Sequence, residues 1–215
     1  MRKSGIAMAC VLFAMTIATG MAQAQGMGGA KQATESGVAV YGGYRGSSSL
    51  TETTTGQDVK VNTGASYALA LDIGLDRNRQ VEIFYGRQKT ELTSGGFSAA
   101  ANNLPLTIEY LHVGGTNFFE GLGRGAYLVG GIGVTLLRPD RAGLSSETKP
   151  SINLGVGYLL PMGRNLGLRF EARGYATLLN NSSSMFCGSN TGCIVSIQGT
   201  ALYQAEALVG LTGRF

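Results

Sequence analysis

The feature that most constrains this chain is a strict period of two near its C-terminus. Tyr203, Ala205, Ala207, Val209, Leu211, Gly213 and Phe215 fall on one face; Gln204, Glu206, Leu208, Gly210, Thr212 and Arg214 fall on the other. Successive side chains of a β-strand point to opposite faces, so this spacing predicts a strand and excludes a helix. The preceding segment repeats the pattern more sharply. Leu166, Leu168, Phe170, Ala172, Gly174, Ala176 and Leu178 share one face, and Gly167, Arg169, Glu171, Arg173, Tyr175 and Thr177 share the other. A strand apolar on one side and charged on the other belongs at a boundary between two media. If the apolar medium is lipid, the charges must face a lumen.

Six further strands are predicted, over approximately Gly37–Arg45, Ala65–Leu75, Gln80–Leu92, Leu104–Phe119, Gly125–Leu137 and Pro150–Leu160. The fourth in chain order is the least regular: its outward set includes His112 and Phe118, unless a bulge near Leu111 shifts the frame. Connections alternate in length. Residues 46–64, 93–103, 138–149 and 180–197 are long and rich in Ser, Thr, Asn and Gly, whereas 76–79, 120–124 and 161–165 are short. Long loops at one end and tight turns at the other are the habit of bacterial outer-membrane barrels. The expected fold is therefore all-β, an eight-stranded antiparallel up-and-down transmembrane β-barrel. Closure is required because lipid leaves no partner for an open sheet edge. Outward Tyr44, Tyr67 and Tyr203 toward the long loops, and Tyr158, Phe118 and Phe215 toward the short turns, are expected to form interfacial girdles. The rival fold is a soluble secreted barrel of the lipocalin kind, with its apolar face inward. The terminal Phe and the loop alternation favour the membrane barrel.

Composition agrees. The chain has 34 glycines, no Trp and only 14% charged residues, and its net charge of +4 shows no clustered basic stripe of the nucleic-acid-binding kind. Arg2 and Lys3, the uncharged run Ile6–Ala18 and the small residues of Ala22-Gln23-Ala24 lay out a secretory signal peptide over 1–24. Cys10 lies inside that run and is expected to be discarded with it. A short periplasmic segment, 25–36, then leads into the barrel, 37–215.

Three segments resemble a known family. Val81-Glu82-Ile83-Phe84-Tyr85-Gly86-Arg87-Gln88, Gly167-Leu168-Arg169-Phe170-Glu171-Ala172-Arg173 and the terminal Gly210-Leu211-Thr212-Gly213-Arg214-Phe215 are similar to the outer-membrane protein β-barrel domain family, small porin-like proteins akin to outer-membrane proteins A, W and X. The resemblance spans Gly37 to Phe215. It implies location in the outer membrane of a Gram-negative cell, and Phe215 as part of the signal read by the barrel-assembly machinery. It does not fix a function, because one fold hosts many.

Candidate site residues follow from the alternation. Asp72, Glu82, Glu109, Arg169, Glu171, Arg173 and Glu206 are expected to form a lumen charge network, either a polar plug or a narrow solute path. Within it, Arg173 and Glu206 are expected to meet, with Glu171 and Glu109 competing for the same guanidinium, whose forked donors can hold two carboxylates. Cys187 and Cys193, exported to an oxidising compartment, are expected to form a disulfide. Arg87 and Lys89 lie outward near the long-loop end, where they are expected either to meet lipopolysaccharide phosphates or to snorkel to the interface. His112, the single histidine, is followed by Val113-Gly114-Gly115 and lacks the His-x-Ser of the small lipid A deacylases, so no catalytic site is expected. No cofactor, metal or nucleic acid is expected. The functional expectation is a structural or porin-like outer-membrane protein with at most a narrow solute path. The alternatives are a surface-binding, adhesin-like protein acting through its long loops and, less favoured by the sequence, a lipid-modifying enzyme. The expected partners are outer-membrane lipid, lipopolysaccharide and the assembly machinery.

Overall fold

A computed structural model describes residues 36–52, 58–94, 103–141, 143–179, 183–188, 192–198 and 201–215. The expected signal peptide and residues 25–35 lie outside the described residues, as do Thr53, Thr54 and Thr55. The described residues from Ser36 to Phe215 belong to one compact unit. Its strands are β1 (Ser36–Ser47), β2 (Ser49–Glu52), β3 (Asp58–Val61), β4 (Gly64–Gly74), β5 (Arg79–Ser94), β6 (Asn103–Phe118), β7 (Gly125–Pro139), β8 (Glu147–Pro161), β9 (Leu166–Leu178), β10 (Ser183–Gly188), β11 (Gly192–Gln198) and β12 (Ala201–Arg214).

Eight of these close into a barrel in the order β5-β4-β1-β12-β9-β8-β7-β6, with β6 pairing back onto β5. Every neighbouring pair is antiparallel. The first and last barrel strands meet along their length, from Gly37↔Arg214 to Ser47↔Gln204. Closure leaves no wall strand with an unpaired edge, as a lipid environment demands. Asp76 staples the first tight turn: its Oδ1 accepts from the backbone amides of Asn78 and Arg79, each at 2.9 Å.

The long segments 46–64 and 180–197 are not plain loops. β2 with β3 and β10 with β11 are antiparallel pairs inside them. They continue the sheet in the order β10-β11-β2-β3, and β3 joins the upper end of β5 through Val59↔Ser94, Lys60↔Thr93 and Val61↔Leu92. β5 outruns its neighbour β4 by several residues, and its free backbone groups there need a partner. Short segments of mixed composition carry too little alternation to announce themselves.

Outward positions are apolar: Val40, Leu69, Val113, Ile132, Leu154, Val156, Phe170, Val209 and Leu211 are all exposed. Tyr44, Tyr67 and Tyr203 point outward toward the long loops, and Tyr158 and Phe215 toward the short turns. The strand β6 corrects the sequence reading. Its register with β5 runs unbroken from Arg79↔Asn117 to Thr93↔Asn103, so no bulge shifts the frame. His112 and Phe118, expected outward, are each 1% exposed and face the lumen, while Phe119 is exposed instead. Glu109, expected in the lumen, therefore sits on the outward face with Leu111 and Val113. The cause is that Leu104, Leu106 and Ile108 line the inside. The rule of polar-inside, apolar-outside fails where the lumen itself is apolar.

Two glycines show how tightly this wall bends. A Cβ on Gly114 would stand 1.9 Å from the carbonyl oxygen of Gly130, and one on Gly133 would stand 2.0 Å from that of Leu111. Only glycine permits such an approach of β6 to β7.

Candidate functional site: the closed lumen

The inward parity of β1, β4, β5, β9 and β12 brings three arginines and four carboxylates into the middle of the barrel: Arg45, Arg169 and Arg173 with Asp72, Glu82, Glu171 and Glu206, all buried. Arg173 uses all three nitrogens. Its Nη1 and Nη2 donate to the two oxygens of Glu82 at 2.9 and 3.0 Å, and its Nε donates to Glu171 Oε2 at 2.6 Å. β9 and β5 lie on opposite walls of the closed sheet, so this guanidinium ties the barrel across its diameter. Its Cζ also lies over the Phe84 ring, 4.0 Å from the centroid.

Below it, Arg169 donates to Asp72 Oδ2 at 2.6 Å and to the Tyr41 hydroxyl at 2.9 Å. Tyr41 passes the contact on, donating to Glu171 Oε1 at 2.7 Å; Tyr127 donates to the same oxygen at 2.6 Å. Glu171 is thus hydrogen-bonded by one guanidinium and two phenols, and Arg169 Nη1 lies 4.0 Å from its Oε1. Forked charge-assisted bonds of this kind are what make a buried ion pair tolerable in low dielectric.

Arg173 and Glu206 stand directly opposite in register, as expected, but their side chains part. Glu206 accepts instead from Arg45 Nη2, at 2.9 and 3.0 Å, and from the Tyr175 hydroxyl. The reason is reach. Arg45 also faces Glu206 in register from the other neighbouring strand, and Arg173 finds two carboxylates across the lumen. Arg45 was not among the expected network residues because it ended the strand drawn for it. Its guanidinium carbon lies beside the stacked rings of Tyr110 and Tyr175, whose centroids are 4.4 Å apart, at 4.8 and 5.0 Å from the two centroids. Tyr110 donates to Gln204 Oε1 at 2.6 Å, another tie between opposite walls. His112 stacks on Tyr110 with ring centroids 5.3 Å apart, and its Nε2 lies 2.8 Å from Ser151 Oγ. Ser151 is 2% exposed, so the pair is sealed from any substrate in this arrangement.

Apolar layers close both ends of this polar middle. Toward the long loops lie Val61, Leu92, Leu104, Leu106, Ile108, Leu137, Leu179 and Leu202, with Leu144 packed against them. Toward the short turns lie Phe118, Tyr127, Val129 and Leu159, with Leu122 beside them.

Glu109 has outward partners. Tyr85 donates to its Oε1 at 2.9 Å, Arg138 Nη2 lies 3.1 Å from its Oε2, and Arg87 Nε lies 3.6 Å from Oε1. Arg87 and Lys89 are outward, as expected, and Arg138 joins them. The backbones of Cys187 and Cys193 stand directly opposite in the β10–β11 hairpin; their side chains lie outside the described atoms.

Among solved structures the chain is similar to Neisserial surface protein A, at 12% identity over 84% of this chain and 97% of that one, with a TM-score of 0.54. It is also similar to the outer-membrane protein OprG of Pseudomonas aeruginosa, at 10% identity over 85% and 96% of the two chains and a TM-score of 0.53. The outer-membrane protein AlkL, determined in lipid bilayers, matches at 14% identity over 91% and 97%, with a TM-score of 0.50. No protein-family model and no curated protein sequence matches the chain. At such identities the likeness is one of fold: a closed eight-stranded antiparallel barrel of the small transmembrane, outer-membrane type.

Proposed function

We propose that this chain is a structural protein of the outer membrane whose lumen is held shut, leaving at most a narrow solute path. The single observation that carries the reading is the cross-lumen bond of Arg173 to Glu82 and Glu171, in a barrel whose middle is packed with side chains that are almost fully buried. An eight-stranded barrel is about wide enough for its side chains to fill it, so a wide water-filled pore has no room. The outward apolar belt and the likeness to outer-membrane barrels support the location.

Planar bilayers test the reading. Purified folded protein is expected to stay at background conductance. Steady ohmic channels from the unmodified chain would overturn it. Removing Phe215, which is exposed at the end of the closing strand, is expected to lower the amount of folded barrel in membranes.

A second reading, surface binding, is favoured by one observation. The four short strands β10, β11, β2 and β3 carry the sheet beyond the wall at the long-loop end, which is the outer side in such barrels. A structured platform there suits contact with another molecule better than four separate loops would.

A further inference from the structure

Charge is distributed unevenly around the outward face. On β1, β4, β8, β9 and β12 no outward wall position carries a charge. On β5, β6 and β7 the outward set includes Arg87, Lys89, Glu91, Glu109 and Arg138, all toward the long-loop end, besides Arg79 at the opposite end of β5. The three cations lie in two adjacent rows. Arg87 stands directly opposite Glu109, with Tyr67 on its other side. One row up, Lys89 and Arg138 flank Thr107 from either side. Neighbouring strands are about 4.8 Å apart, so the two flanking cations are about 10 Å apart at the backbone, within reach of one anion between them.

Glu109 explains the arrangement. This carboxylate is 6% exposed although it sits on the lipid-facing side. Tyr85 and Arg138 engage its oxygens, and Arg87 approaches one of them, so Glu109 fixes two guanidiniums while leaving them 34% and 50% exposed. Lys89 is exposed and has no ion-pair partner among the described residues. Arg87, Lys89 and Arg138 against Glu109 and Glu91 leave one net positive charge in the wall; Asp140, beyond the strand end, accepts from the Thr107 hydroxyl at 3.3 Å between the two flanking cations, a carboxylate that an incoming phosphate would have to displace. Height sets the partner. Arg87 is eight residues along β5 from Arg79, roughly 20 Å up the barrel at ordinary rise and tilt. That is close to the upper rim of an apolar band about 25 Å tall, where lipid phosphates begin. Guanidinium forks and an ammonium match phosphate oxygens.

We propose that Arg87, Lys89 and Arg138, organised by Glu109, form a docking surface for the phosphate of an outer-leaflet phosphorylated glycolipid of the lipopolysaccharide type. The surface rests on the transmembrane reading above and is independent of whether the lumen conducts.

Native mass spectrometry of the folded protein released from detergent tests it. The probes are bisphosphorylated lipid A, its dephosphorylated form, phosphatidylglycerol and inorganic pyrophosphate. The wild type is expected to prefer bisphosphorylated lipid A to all three others. The Lys89→Gln/Arg138→Gln variant is expected to lose at least about tenfold in that affinity, as deletion of one or more charge-assisted bonds implies. Both substituted residues are exposed, and unchanged heat-modifiable gel mobility shows that the variant is folded; absence of a folded species in the wild type would instead defeat the barrel reading itself. Equal affinity of wild type and variant for lipid A overturns the proposal. So does equal binding of the dephosphorylated form, or preference for pyrophosphate or phosphatidylglycerol over lipid A.

Discussion

The lumen closes twice, and by different means. Its middle is charged: Arg173 and Arg169 reach partners on distant walls, and every pair there depends on direction. Its long-loop end is aliphatic: Leu92, Leu104, Leu106, Ile108, Leu137 and Leu202 meet by packing alone. The polar closure has few alternatives, because a buried carboxylate that loses its guanidinium keeps its desolvation cost. The apolar closure is tolerant, because hydrophobic residues of similar volume exchange at modest cost. The two regions thus answer one geometrical problem with opposite sensitivities to substitution.

The largest expected effect comes from the middle. Arg173→Ala removes the forked partner of Glu82 and one of the donors to Glu171, leaving buried charge uncompensated. Unfolding by denaturant from lipid vesicles is expected to show a loss of about 3–5 kcal/mol. Conductance is expected to stay at background, because the aliphatic layer still seals the outer end. Channels opened by this substitution alone would show that the ionic layer is the only seal and break the comparison.

A cavity in the aliphatic layer is expected to cost less. Ile108 is fully buried, and Ile108→Ala is expected to destabilise by about 2–4 kcal/mol, while Ile108→Leu costs under about 1.5 kcal/mol. The ratio of these two losses is the sharpest measure of tolerance at that level. If Ile108→Leu costs as much as Ile108→Ala, the mouth is as shape-specific as the middle.

Most of the wall was legible in the sequence because each strand there separates two media. The alternation of Arg169, Glu171 and Arg173 against Phe170 and Ala172 allows one assignment only. In β6 both faces of the outer half are apolar or mixed, so the same rule inverted the strand and displaced His112, Phe118 and Glu109 together. Glu171 was among the partners expected for Arg173, but the forked pairing of Arg173 with Glu82 was out of reach for a further reason. Register places Glu206 beside it, but contacts across the lumen depend on barrel diameter and stagger, which no local pattern encodes. Arg138 and the role of Glu109 emerge only once β6 and β7 are set side by side.

The curvature of the wall gives a smaller, local effect. Gly114→Ala is expected to cost about 1–3 kcal/mol, since its methyl would meet backbone that cannot swing aside. Gly42→Ala, with nothing within 4 Å of the added carbon, is expected to change stability by no more than about 0.5 kcal/mol. Equal losses at the two positions would mean that strand entropy, not crowding, sets the cost.

The smallest effect on the barrel is expected furthest from both closures. Cys187 stands directly opposite Cys193 across the β10–β11 pair. Directly opposed residues of an antiparallel ladder have Cα atoms about 4.5–5.5 Å apart, inside the range a disulfide bridges. The thiols are therefore expected to resist labelling until reductant is added, in protein taken from oxidising growth. The bridge spans a short hairpin whose residues 183–188 and 192–198 lie beyond the wall strands. What it constrains is the unfolded hairpin, not the wall. Cys187→Ala/Cys193→Ala is thus expected to leave barrel unfolding within about 0.5 kcal/mol of wild type, while protease cuts the 180–200 segment faster. Free thiols in the oxidised protein would remove the bridge. A loss of barrel stability as large as that of Gly114→Ala would show instead that the outer platform is part of the aliphatic closure.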